Sequence, residues 1–95
     1  MLFSIMCIDR PEVLDLRLSV RPKHLDWLQK NLPSQSVFVG PLLDDEGKTF
    51  RGSLYILDFE CVSKAREWIS NEPYNMVGLF ESIIIRSTRN ILPLK

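Results

Sequence analysis

The sequence predicts an α+β fold in the element order β-α-β-β-α-β. Four apolar runs of strand length, 2–8, 36–43, 49–59 and 80–87, alternate with polar or turn-forming residues. Helical spacing of apolar residues fills the stretches after the first and third runs. The second and third runs are joined only by a short acidic, glycine-containing segment at 44–48, which marks a hairpin.

Each element has its own signal. Residues 2–8, LFSIMCI, are apolar throughout and stop at Asp9-Arg10-Pro11, so they read as a buried strand. Pro11 opens a helical or turn-like segment over 12–18, with Val13, Leu14, Leu16 and Leu18 apolar. Pro22 lacks an N–H, and its ring crowds the carbonyl one turn back. It is therefore expected in the first turn of a second helical piece, with Ser19 as its cap. That piece buries Leu25, Leu28 and Leu32 on one stripe and ends at Asn31-Leu32-Pro33-Ser34. Residues 36–43, SVFVGPLL, form the second strand, with Gly40-Pro41 at a bend or at the end of regular pairing. Gly47 supplies the positive φ of the turn. Residues 49–59 form the third strand. Ser63 caps a helix running to about Asn71, with Ala65, Trp68 and Ile69 inward, and Glu72-Pro73-Tyr74 stops it. A turn at Gly78 leads to the fourth strand, 80–87, and a short, partly apolar tail, ILPLK. This is the ferredoxin-like arrangement, an antiparallel sheet with both helices on one face, in a single domain over residues 1–95.

The strands do not alternate between apolar and polar, as a sheet with one wet face would. Phe3, Ile5 and Cys7 point one way; Leu2, Met6 and Ile8 point the other. Leu54 and Ile56 oppose Tyr55 and Leu57, and Ile84 opposes Ile83 and Ile85. Both faces need cover. A symmetric homodimer, two sheets face to face, supplies it economically; the C-terminal tail or loops are the other available cover.

Composition narrows the function. Twelve Lys+Arg balance twelve Asp+Glu, which gives no general attraction to nucleic acid or an anionic membrane. No apolar run is long enough to span a bilayer. Arg51-Gly52-Ser53-Leu54-Tyr55-Ile56 loosely echoes an RNA-binding strand motif, but Ser53 stands where a stacking ring is needed. Cys7 and Cys61 both lie in apolar stretches and read as reduced core residues of a cytoplasmic protein. Two distant thiols and one histidine do not make a metal site, and no cofactor motif is present. The N-terminal MLFSIMCID is too short and uncharged for a secretory signal. Trp27 and Trp68 read as packed or half-buried helix aromatics.

The chain holds one histidine, His24. It precedes Leu25 at the edge of the expected buried stripe. Histidine titrates near neutral pH, and a carboxylate beside its ring fixes the tautomer and raises its basicity. Two carboxylates qualify by position: Asp9, just past the first strand, and Glu72, at the end of the second helix. Arg17 and Arg21 share a face with His24 if the helix is continuous, and there they suit an anionic ligand. Ser53, after Gly52 on a central strand, is a candidate pocket residue. The plain alternative is a border histidine on an amphipathic helix, flanked by solvated basic residues.

At these residues the sequence resembles the YciI-like (YCII-related) family. The matching stretches are Arg17-Leu18-Ser19-Val20-Arg21-Pro22-Lys23-His24-Leu25, Val39-Gly40-Pro41-Leu42, Arg51-Gly52-Ser53, and Glu72-Pro73-Tyr74 followed by Gly78. The resemblance implies a dimeric α+β barrel with a histidine and an acidic residue suspected of catalysis. The histidine carries over to His24. The family usually has aspartate where this chain has Glu72, whose side chain reaches about 1.5 Å farther; Asp9 also matches an aspartate common near its place in relatives. Tyr74, in the same motif, joins Arg17, Arg21 and Ser53 as a candidate substrate-binding residue. The loop between strands two and three is shorter than usual in the family. Two functions follow as expectations. One is an enzyme using His24 with Glu72 or Asp9 for acid–base chemistry, of isomerase, lyase or hydrolase type, on a small molecule. The other is a non-catalytic dimeric module that binds a metabolite or partner.

Overall fold

A computed structural model describes residues 1–92 of the chain. Its elements are β1 (Leu2–Asp9), α1 (Leu14–Asn31), β2 (Ser36–Leu43), β3 (Phe50–Asp58), α2 (Val62–Ser70), a short α3 (Pro73–Met76) and β4 (Phe80–Thr88). The strands form one antiparallel sheet in the order β2-β3-β1-β4. This is the expected ferredoxin-like arrangement, with β3 inserted between β1 and β2. Its two central strands, β1 and β3, pair in unbroken register from Leu2 opposite Asp58 to Ile8 opposite Gly52.

Register explains the core. Phe3, Ile5 and Cys7 lie opposite Leu57, Tyr55 and Ser53, so all six point to the helix-covered face and all are buried. Leu28 of α1 and Ala65 and Ile69 of α2 pack onto them. Trp68, half-buried, meets Trp27, Tyr55 and Phe59 with ring centroids 4.9, 5.3 and 5.9 Å away. The opposite face carries Met6, Phe38 and Ile84 at 39%, 46% and 43% exposure. Ile91 and Leu92 of the tail lie beside Leu2, Val37 and Ile56 and leave Met6, Phe38 and Ile84 exposed; Pro93, Leu94 and Lys95 lie outside the described residues. No helix among the described residues is long and apolar enough to cross a membrane.

The largest departure from expectation is α1. It runs unbroken through Pro22 instead of dividing there. Proline removes one intrahelical donor and crowds the carbonyl four residues back, that of Leu18. Both Leu18 and Pro22 are exposed, so water can reach the orphaned carbonyl. Ser19 is consequently no cap; its hydroxyl donates to the Leu16 carbonyl at 2.8 Å. Continuity also resets the buried stripe. Arg17, Val20, His24 and Leu28 face inward, whereas Leu25 and Leu32 are 44% and 40% exposed. The inward stripe is half polar, which is why apolar spacing alone pointed to the wrong leucines.

Other corrections are local. α1 starts at Leu14 rather than 12, because Glu12 adopts a left-handed φ of 59° and cannot begin a helix. The N-terminal boundary of α2 falls two residues earlier than expected, at Cys61, with no side-chain cap; Ser63 lies inside the helix, with Oγ 3.0 Å from Cys61 Sγ. Cys61 is thus exposed rather than core, while Cys7 is buried as expected. The turn after Glu72 winds into α3. The hairpin turn follows its chemistry: Gly47 has φ of 71°, and Asp44 accepts from the Gly47 and Lys48 backbone N–H groups at 2.9 Å each.

Candidate active site

Pro73 occupies the first turn of α3, where its missing N–H costs nothing. Glu72 is the preceding cap residue. Its side chain turns back, and Oε1 accepts from the Tyr74 backbone N–H at 3.1 Å. The same oxygen accepts from His24 Nδ1 at 2.8 Å, while Oε2 accepts from the Tyr55 hydroxyl at 2.8 Å. The carboxylate is wholly buried yet has three donors, which offset the cost of its burial. The extra methylene of glutamate is therefore accommodated: it spans from α3 to both α1 and β3.

Bonding through Nδ1 defines the histidine. A carboxylate acceptor holds the proton on Nδ1 and leaves a lone pair on Nε2. The ring stacks on Tyr74, with centroids 4.0 Å apart and planes inclined by 17°. His24 lines a cavity of about 140 Å³ between α1, β2 and β3. Every fully buried side-chain nitrogen or oxygen among the described residues has a hydrogen-bond partner. Nε2 has no such partner, so it must border open space, and the cavity is that space.

A second network adjoins the first. Arg17 Nε and Nη2 donate to Asp9 Oδ2 and Oδ1 at 2.7 and 3.1 Å, and Nη2 also donates to Ser53 Oγ at 2.7 Å. The guanidinium carbon lies 4.5 Å from the centroid of the Tyr74 ring. Asp9 thus binds Arg17 and Glu72 binds His24, which resolves the two carboxylates that sequence position left open. Gly52 makes room for this: a Cβ there would collide with the Cys7 carbonyl, so only glycine allows β3 to bring Ser53 under the guanidinium. Arg17 also lines the cavity. Arg21, exposed and without an ion-pair partner among the described residues, stands at the cavity rim.

Electrostatics separate the roles. Burial, reinforced by the Glu72 charge, pushes the Tyr55 phenol far above its ordinary value, so it stays a hydrogen-bond donor. Burial likewise raises Cys7, with Glu72 next, and keeps it an unreactive thiol. Tyr74 is raised by burial, while Arg17 and Arg21 act against the rise. Among the described residues no group of three or more His, Cys, Asp or Glu is arranged to hold a metal ion. The residues expected at the site, His24, Glu72, Asp9, Arg17, Arg21, Ser53 and Tyr74, all come together here. Tyr55 was not among them. It shares the inward face of β3 with Ser53, and only its place opposite Glu72 gives its hydroxyl a role.

Comparison with known proteins fits this geometry. A structure of 5-chloro-2-hydroxyhydroquinone dehydrochlorinase from Burkholderia phenoliruptrix, in complex with 2,5-dihydroxybenzoquinone, superimposes with a TM-score of 0.85. It is 29% identical, with 95% of each chain covered. An Agrobacterium tumefaciens protein, 13% identical with a TM-score of 0.52 over the whole of both chains, shares the fold. The YciI protein of Escherichia coli is 32% identical over 96% of this chain and 99% of its own. An uncharacterised Haemophilus influenzae protein is 31% identical, with 96% and 99% covered. The family model described as the YCII-related domain matches residues 1–89, and the chain belongs to that family.

Proposed function

We propose that the protein is a small acid–base enzyme, with His24 as the base and Glu72 as the group that orients it. The observation that carries this is the 2.8 Å bond between His24 Nδ1 and Glu72 Oε1, which turns Nε2 toward a cavity. Nε2 takes a proton from a substrate hydroxyl or C–H. The electron pair left behind moves into the substrate and expels an anion, and the imidazolium returns its proton to solvent or product. Elimination of this kind is supported by the dehydrochlorinase likeness at 29% identity. Arg17 and Arg21, which line the cavity, meet the developing negative charge, and Tyr74 backs both the imidazole and the guanidinium. Asp9 and Ser53 hold Arg17 in place. A cavity of about 140 Å³ is smaller than the roughly 300 Å³ lower bound of drug-sized pockets, which suits a single oxygenated ring.

The test is turnover of a chlorinated hydroxyhydroquinone, followed by chloride release. His24→Ala and Glu72→Gln should each lower kcat by about 10²–10⁴-fold with the fold retained. Full activity in His24→Ala would end the acid–base reading. Calorimetric binding of dihydroxybenzoquinone with no turnover by the unmutated protein would favour the non-catalytic module instead.

The same reading includes a homodimer. The bare face of Met6, Phe38 and Ile84 supports it, since exposed apolar patches of this kind are covered in soluble proteins. A second copy, sheet against sheet, is the cover. Met6→Lys places a charge at its centre and should convert a sedimenting dimer to a monomer; a monomeric unmutated protein at high concentration would refute the dimer. The free thiols of Cys7 and Cys61 are in keeping with a reducing, cytoplasmic setting.

A further inference from the structure

We infer that Tyr55 is a positioning residue for the catalytic pair, locking the Glu72 carboxylate so that its other oxygen meets His24. The inference rests on the acid–base reading above. A glutamate side chain has one more rotatable bond than an aspartate, so its carboxylate needs more restraint. The Tyr74 backbone N–H and His24 both bind Oε1, at 3.1 and 2.8 Å. Neither restrains Oε2. The Tyr55 hydroxyl does, at 2.8 Å.

Tyr55 is built for that task. It has no solvent exposure, its strand is paired on both sides, and its ring meets Trp68 edge-on at 5.3 Å. A hydroxyl on so fixed a ring acts as a stationary donor. Removing it frees the carboxylate to rotate about its last bond, and the Nδ1 proton loses its fixed acceptor. Small displacements of a catalytic group are costly; about 1 Å can lower a rate on the order of 100-fold.

The chain's single histidine makes the test direct. Long-range proton–nitrogen correlation of ¹⁵N-labelled protein reads the His24 tautomer without any substrate. The unmutated protein should show the Nδ1–H tautomer alone. Tyr55→Phe should show a mixture, with kcat down about tenfold and KM within twofold. Adding Tyr55→Phe to Glu72→Gln should cost less than about twofold more, because the restraint then has nothing to orient. A folded Tyr55→Phe with unchanged tautomer and unchanged kcat would overturn the inference. Should that variant not fold, the unmutated protein gives a second readout. The Tyr55 hydroxyl proton should exchange slowly and shift in Glu72→Gln; a rapidly exchanging hydroxyl overturns the inference equally. Full turnover in His24→Ala would sink the acid–base reading, while the tautomer would still report on Tyr55.

Discussion

Arg17 and His24 lie two turns apart on one face of α1, and each is held by a buried carboxylate: Asp9 at 2.7 Å from Arg17 Nε and Glu72 at 2.8 Å from His24 Nδ1. Their surroundings are alike in burial but not in chemistry. A guanidinium is a permanent cation, and Nε and Nη2 of Arg17 are spent on Asp9 and Ser53. It can fix structure and attract an anion, but it cannot pass a proton. His24 uses one nitrogen on the protein and keeps the other for the cavity. An imidazole is the kind of group that can take up a proton and hand it on in catalysis. The difference teaches that a buried polar residue signals chemistry only when part of its bonding capacity is left unspent beside open space.

Breaking the Arg17 side should have the largest effect on stability. Both partners are nearly shut off from water, so removing one strands the other as a buried charge. Arg17→Met should lower the unfolding free energy by about 3–5 kcal/mol, read from the urea midpoint. Arg17→Met with Asp9→Leu should recover most of it, since no charge is then left unpaired. His24→Ala should cost less, about 1–2 kcal/mol, because Glu72 still has Tyr55 and the Tyr74 N–H. Equal losses for Arg17→Met and His24→Ala would erase the proposed contrast between a structural and a chemical pair.

The sequence resolved the two pairs unevenly, for physical reasons. The sheet was legible because strand residues announce themselves by length, β-branching and turn chemistry, and its register follows from the hairpin at 44–48. His24 stood out as the single imidazole. Which carboxylate it meets was not legible: Asp9 and Glu72 lie far apart in sequence, and only packing of α3 beneath α1 brings Glu72 to the ring. The inward face of α1 was hidden for another reason. Its two polar members, Arg17 and His24, are buried because partners satisfy them, and hydropathy cannot see partners. Tyr55 was concealed likewise: on β3 it reads as one more apolar side chain, and its hydroxyl acquires a role only opposite Glu72.

Pro22 stands between Arg17 and His24, and replacing it sharpens the comparison at the smallest cost in contacts. The residue is exposed, and it denies the Leu18 carbonyl its helical partner. Proline inside a helix is less favourable than alanine by about 3 kcal/mol. Part of this is offset because proline stiffens the unfolded chain, worth about 0.4–1 kcal/mol. Water on the orphaned carbonyl offsets more. Pro22→Ala should therefore raise stability by about 1–2 kcal/mol in denaturant titration. The same change supplies the missing N–H to the Leu18 carbonyl while α1 stays one continuous helix. Turnover and the His24 tautomer should both stay unchanged, since Glu72 and Tyr55 hold the imidazole from other elements. A destabilised Pro22→Ala would show instead that the ring is held by packing. A stabilised variant with lowered turnover would show that the proline itself sets how the anion-facing arginine and the proton-carrying histidine are spaced along their helix.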